Sequence, residues 1–140
     1  MNYKSRLFLL CVAFSAIPTS AIADEVWITE EYDVVYQEDR NRTAIWSYGE
    51  NGTIFIDGLA GNYDNRTAYA GYWTQPTSSL RCDTFREDAA GKPTYHWGRF
   101  EISFIDKAFP SRWTAKFGLC DGPLRISLTG LPKAAVPLPR

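Results

Sequence analysis

The chain has 140 residues, of which 15 are Lys or Arg and 16 are Asp or Glu, so its net charge at pH 7 is −1. No block of basic residues occurs along it, and a nucleic-acid partner is therefore not expected. The length suffices for one domain and is too short for two domains that each have a proper core.

The first residues have the pattern of a secretory signal peptide. Lys4 and Arg6 precede an apolar run over 7–17, and the small-residue site Ala21-Ile22-Ala23 follows. The apolar run is too short to span a bilayer as a helix. We therefore expect cleavage after Ala23, no membrane anchor afterwards, and export to a periplasm or the extracellular space. Removal of the two basic residues leaves 13 basic against 16 acidic side chains, a net charge of about −3.

From residue 26 onward the sequence alternates in the manner of β-strands. Within 26–37, Tyr32, Val34 and Tyr36 share one face, and a turn is predicted at 38–41. The Asn-Gly step of 49–52 is a strong hairpin signal, and Pro76 is expected to stop the fourth strand. The strands predicted in this half of the chain cover 26–37, 42–48, 53–57 and 66–75.

The second half continues the β pattern after a less regular stretch over 77–93, whose residues 80–85 fit either a short strand or a loop. In the long strand predicted over 94–105, Phe100, Ile102 and Phe104 share a face that suits a core. The opposite face mixes aromatic and charged residues, namely Tyr95, Trp97, Arg99 and Glu101. Further strands are predicted over 112–117 and 124–129, and three prolines mark 131–140 as a tail.

Seven or eight short strands joined mainly by tight turns predict an all-β domain over 24–130. The predicted architecture is an antiparallel meander, closed or partly closed into a barrel. A β-sandwich is the alternative. Closure is favoured because it removes the edge strands that a small exported sheet would otherwise expose.

Two cysteines remain after the predicted cleavage, Cys82 and Cys120, and an exported chain meets an oxidising compartment. We expect a single disulfide between them, worth roughly 3–4 kcal/mol on the chain-entropy model. A metal site is the alternative, since an aspartate follows each cysteine and His96 is the single histidine of the chain. The C-x-x-C spacing typical of zinc sites is absent, so no metal or other cofactor is expected.

Catalytic motifs are absent: the sequence has no G-x-S-x-G elbow, no H-E-x-x-H and no glycine-rich phosphate loop. A non-catalytic binding protein is therefore favoured. Two suitably spaced carboxylates would suffice for a small glycosidase or lyase, which is the enzymatic alternative. A further alternative is an inhibitor of an attacking enzyme such as lysozyme, whose basic cleft would be plugged by acidic turns. The acidic residues near predicted turns are Glu30, Glu31, Glu38, Asp39 and Asp64.

Aromatic residues make up 15% of the chain and occur on both faces of several predicted strands. One interpretation is structural: the rings cover the barrel ends and stack across strands. The other is a single flat or concave surface that binds a small molecule, a glycan or a peptide through ring faces and a guanidinium. The predicted ligand-binding residues are Trp46, Tyr48, Tyr69, Trp73, Trp97, Arg99 and Glu101.

Short segments with aromatic residues recur along the chain. They are Ala70-Gly71-Tyr72-Trp73-Thr74, His96-Trp97-Gly98-Arg99-Phe100 and Arg112-Trp113-Thr114-Ala115. This recurring strand pattern resembles that of small avidin-like and lipocalin-like meander barrels from secreted bacterial proteins. The resemblance implies the barrel and no particular ligand, because the Gly-x-Trp opening of lipocalins is absent around Trp27.

Overall fold

The computed structural model describes residues 25–108 and 110–133 of the chain. The predicted signal peptide over 1–23 and residues 134–140 of the predicted tail lie outside the described residues. The described part contains ten strands, numbered in chain order. They are β1 (Val26–Ile28), β2 (Asp33–Arg40), β3 (Thr43–Tyr48), β4 (Gly52–Asp57), β5 (Ala68–Thr74), β6 (Arg86–Glu87), β7 (Pro93–Thr94), β8 (Trp97–Phe104), β9 (Trp113–Phe117) and β10 (Ile126–Pro132).

Eight of these strands form a closed antiparallel barrel in the order β1-β10-β9-β8-β5-β4-β3-β2. Each strand pairs with its neighbours along the chain, except that β1 closes the barrel between β2 and β10, and the small β6–β7 pair is inserted between β5 and β8. The meander barrel predicted from the sequence is therefore confirmed, and the β-sandwich alternative is wrong.

The predicted strand over 26–37 is in fact two strands, β1 and β2, that pair with each other. Thr29 separates them because its hydroxyl bonds to both backbone groups of Tyr32, accepting from the amide at 3.1 Å and donating to the carbonyl at 2.6 Å. Such a side-chain bond stabilises a tight turn. The alternation predicted for the second half of this segment holds, since Val34 is fully buried opposite Tyr48.

Three other predicted boundaries also shift. The turn expected at 38–41 is shorter, because β2 continues to Arg40 after a bulge between Tyr36 and Glu38, and the chain turns at Asn41 with a φ of 55°. The strand predicted over 94–105 divides into the end of β7 and the whole of β8. The last strand extends to Pro132, two residues into the predicted tail, and there it pairs with Trp27.

Three tryptophans fill the centre of the barrel. Trp27 lies 4.3 Å from Trp46 and 6.2 Å from Trp113 between ring centroids, and Trp46 lies 5.9 Å from Trp113. All three are buried, and the Trp27 indole donates to the carbonyl of Ser111 at 2.8 Å. The interior of an eight-stranded barrel is just wide enough for side chains to fill it. Unfilled space in this barrel therefore lies toward its ends.

Gly71 lets β4 and β5 approach each other within the aromatic stretch of β5. A Cβ atom added at this position would overlap the carbonyl oxygen of Phe55 on the neighbouring strand. We expect Gly71→Ala to lower the free energy of unfolding by about 2–3 kcal/mol, since overpacking against backbone has no flexible side chain to relieve it. The exposed neighbour substitution Ala70→Val should change it by about 0.5 kcal/mol or less. Urea unfolding of the two variants measures the difference, and equal stabilities would contradict the close approach.

The antiparallel order places four connections at one end of the barrel, called here the open end: 29–32, 49–51, 75–96 and 118–125. The connections from β2 to β3, from β4 to β5 and from β8 to β9 lie at the other end, called the closed end.

Arg66 fills the closed end. Its guanidinium binds both carboxylate oxygens of Glu25, one of them at 2.9 Å, and donates to the hydroxyl of Ser111 at 3.0 Å. It also lies over the rings of Tyr63 and Phe104, 5.3 and 5.4 Å from their centroids. The side chain is only 2% exposed, so water does not replace these contacts. The closed end is thus packed around a buried ion pair.

Candidate functional site

A cavity of about 160 Å³ lies at the open end of the barrel. Five aromatic rings contribute to its wall, together with two aliphatic and three polar side chains. The lining residues are Tyr32, Tyr48, Ile54, Trp73, Gln75, Ser78, Ser79, Phe100, Phe117 and Leu119. Mouths of β-barrels are common ligand sites, and a mostly apolar lining with a few polar groups is typical of them.

The aromatic wall is held in place by hydrogen bonds and ring contacts. The indole of Trp73 donates to the carbonyl of Gly118 at 2.9 Å, which fixes the ring between β5 and the 118–125 loop. The rings of Tyr32 and Tyr48 lie 4.9 Å apart between centroids and are tilted by 37°. These contacts hold the rings of the wall in fixed positions.

Tyr48 supplies a polar group at the edge of the cavity. Its hydroxyl accepts a hydrogen bond from the amide of Gln75 at 2.8 Å and lies 3.4 Å from the carbonyl of Thr74. Burial raises the pKa of the Tyr48 hydroxyl well above its ordinary value, although the bond from Gln75 lowers it in part. Tyr48 therefore stays protonated and neutral at physiological pH.

Ser78 and His96 form a second polar pair beside the cavity. The Ser78 hydroxyl donates to the carbonyl of Leu80 at 2.8 Å and lies 2.9 Å from Nδ1 of His96. These contacts connect the start of the 75–96 loop to its end beside the cavity.

A second space of about 350 Å³ adjoins the cavity and shares Tyr32, Tyr48 and Gln75 with it. Its other lining residues come from the 49–51 hairpin and the start of the 75–96 loop, namely Gly49, Glu50, Asn51, Gly52, Pro76 and Thr77. We call this space the vestibule, because it lies between the 49–51 hairpin, which carries Glu50, and the aromatic wall.

The residues predicted to bind a ligand divide between the two faces of the barrel wall. Tyr48 and Trp73 line the cavity. Trp46 belongs to the buried tryptophan cluster, and Tyr69 packs 6.3 Å from Phe104 toward the closed end. The others project from the outer face of β8, namely Trp97, Arg99 and Glu101. One continuous surface of all seven does not form, because alternation along β8 directs Trp97 away from the interior that Trp73 faces. A binding role for the outer residues stays a prediction.

Trp97 is on the outer face and yet only 2% exposed, because the 75–96 loop covers it. Its indole donates to the carbonyl of Thr84 at 2.8 Å. The guanidinium of Arg86 lies 4.6 Å from the Trp97 ring and 4.4 Å from the Tyr72 ring, and Tyr72 stacks in turn on Phe55. These contacts hold the loop against the barrel, which fits the structural interpretation of this ring.

Cys82 and Cys120 are joined by a disulfide, as predicted. The bond links the 75–96 loop to the 118–125 loop, and both loops contribute residues to the cavity wall. Because the sulfur atoms are bonded to each other, they are not available as thiolate ligands for the alternative metal site.

The acidic residues considered for an inhibitor are also divided. Glu30 and Glu31 lie in the 29–32 turn at the open end. Glu38, Asp39 and Asp64 lie near the closed end, where Asp39 accepts a hydrogen bond from the hydroxyl of Tyr63. The five carboxylates therefore do not form one acidic surface.

Eight of the ten cavity residues were not among the predicted site residues. Phe100 was predicted as part of a core face, and Tyr32 was predicted to share a face with Val34 and Tyr36, so alternation gave their grouping but did not mark them as site residues. Ser78, Ser79 and Leu119 lie in loops, where no periodic signal exists. Their position near the rings follows from barrel closure and the disulfide.

No family model, curated protein or solved structure is significantly similar to this chain. None of the described residues belongs to a helix with the length and apolar character needed to cross a membrane. Within 25–108 and 110–133 there is also no group of three His, Cys, Asp or Glu side chains arranged to hold a metal ion.

Proposed function

We propose that this chain is an exported, non-catalytic binding protein that holds a small, mainly apolar molecule at the open end of its barrel. The observation that carries the proposal is the cavity of about 160 Å³ with five aromatic rings in its wall. A dry apolar cavity of roughly 150 Å³ in another protein binds benzene. The ligand we expect thus has about six to eight non-hydrogen atoms.

Binding without catalysis is supported by the chemistry of the lining. None of the ten described residues that line the cavity carries a carboxylate. The cavity therefore lacks the paired acids that a glycosidase uses. The sequence also has none of the common catalytic motifs of hydrolases. Export is supported by the disulfide, because such bonds persist in oxidising compartments.

Calorimetric titration with phenol, toluene and tert-butanol tests this proposal. A ligand of this size makes few contacts, so we expect dissociation constants from micromolar to millimolar. Leu119→Trp should weaken the best of these interactions at least about tenfold, because the larger side chain occupies the cavity. Thr114→Trp adds the same ring on the outer face of β9 and should leave the affinity unchanged. Absence of binding by the unmodified protein would overturn the proposal.

A further inference from the structure

We infer that the cavity selects a small organic cation of the quaternary alkylammonium class over neutral and anionic molecules of the same shape. The inference rests on the proposed function and adds the charge of the ligand. Its basis is the combination of an aromatic wall, a lining without basic side chains and an acidic rim.

The aromatic wall suits a positive charge. Ring faces carry a negative potential, and quaternary ammonium groups are recognised where several such faces converge. The cavity brings together the rings of Tyr32, Tyr48, Trp73, Phe100 and Phe117. Trp73 and Phe100 are buried, so water competes little with a cation held against them.

The charges of the lining disfavour an anion. Among the described residues, no Lys, Arg or His side chain lines the cavity or the vestibule. A carboxylate or phosphate bound there would lose its hydration without gaining a cationic partner, which is costly in an apolar site. The three polar lining residues of the cavity, Gln75, Ser78 and Ser79, are neutral.

The rim adds a negative field on the side of the vestibule. Glu50 lines the vestibule, and Glu30 and Glu31 precede Tyr32 in the adjacent turn. The charge of Glu31 contributes, after burial, to raising the pKa of Tyr32, which indicates that this carboxylate acts on the cavity edge. Segments 29–32, 49–51 and 75–79 contain these three carboxylates and no basic residue.

The rest of the rim does not reverse this balance. Residues 80–96 carry three basic and three acidic side chains, namely Arg81, Arg86 and Lys92 against Asp83, Glu87 and Asp88. The 118–125 loop has one residue of each sign, Asp121 and Arg125. A rim with excess carboxylate raises the local concentration of cations and speeds their association, most strongly at low salt.

Three probes of one shape test the inference by calorimetric titration: choline, neohexyl alcohol and the tert-butylacetate ion. Neohexyl alcohol has a carbon atom where choline has its cationic nitrogen, and is otherwise the same. The tert-butylacetate ion carries a negative charge. We expect choline to bind about tenfold more tightly than neohexyl alcohol, and tert-butylacetate to bind most weakly. Added salt should weaken choline binding and leave the alcohol unaffected.

Two variants assign the selectivity to the groups named above. Tyr32→Leu removes a ring and keeps an apolar wall, so it should reduce choline affinity about tenfold and leave the alcohol nearly unchanged. Glu50→Gln, at an exposed position, should weaken choline binding alone and do so most at low salt. Asp64→Asn removes the same charge at the closed end and serves as the control, with no change expected.

The outcomes separate the inference from the proposed function. Equal or tighter binding of neohexyl alcohol relative to choline would overturn the charge selectivity while leaving an apolar binding site in place. Tightest binding of tert-butylacetate would overturn it in the same way. Failure of all three probes, together with phenol, toluene and tert-butanol, would overturn both the inference and the proposed function.

Discussion

Replacing Arg66 with alanine is expected to lower the free energy of unfolding by about 3–5 kcal/mol. The carboxylate of Glu25 would remain at the closed end without its cation, and removing one partner of a buried ion pair leaves an uncompensated charge. The substitution also removes a guanidinium that lies over two rings and empties a fully buried volume. Because Glu25 is 14% exposed, water can reach it in part, and we expect the lower half of this range.

Urea unfolding followed by tryptophan fluorescence measures this effect. Arg40→Ala is the matched control, since Arg40 pairs with Glu38 at the same end but both side chains are about half exposed. An exposed pair of this kind contributes roughly 1 kcal/mol or less. Similar losses in the two variants would show that the buried pair is not what holds the closed end.

Removal of the disulfide by the double substitution Cys82→Ala and Cys120→Ala is expected to cost about 3–4 kcal/mol. The two cysteines are separated by 38 residues, so the bond restricts a long loop in the unfolded chain. The folded protein would also lose the link between the two open-end loops that contribute to the cavity wall. We therefore expect ligand affinity to fall along with stability.

The unmodified protein after reduction provides the control for this prediction, because its side chains are unchanged and only the covalent bond is lost. Its urea midpoint should fall by about as much as that of the double variant. If reduction left both stability and phenol binding unaffected, the loops would be held by their other contacts, among them those of Arg86 with Tyr72 and Trp97.

The barrel could be predicted from the sequence because alternation is a local signal. Along β8, the faces that carry Phe100 and Ile102 on one side and Arg99 and Glu101 on the other differ in burial as the pattern indicates. The break between β1 and β2 was missed because it depends on a side-chain bond from Thr29 to the backbone of Tyr32. A threonine at a strand end gives the same local pattern whether or not that bond forms.

The site was predicted less well, for a topological reason. Alternation assigns Trp97 to the outer face, but whether an outer ring contacts solvent depends on what folds over it. Here the 75–96 loop does so, fixed by the disulfide and by the Arg86 contacts. The cavity likewise draws its residues from strands and loops distant in sequence, such as Tyr32 and Phe117. Their proximity follows from closure of the barrel, which the sequence indicates only in outline.

The claim that a ligand enters the barrel mouth, and does not bind on the outer face, is tested most directly by nuclear magnetic resonance of the indole N–H groups. Trp73 lines the cavity, whereas Trp97 lies on the other side of the wall beneath the 75–96 loop. Saturating phenol should shift the indole signal of Trp73 through its ring current and leave that of Trp97 in place. A shift of the Trp97 signal with an unmoved Trp73 signal would contradict the account.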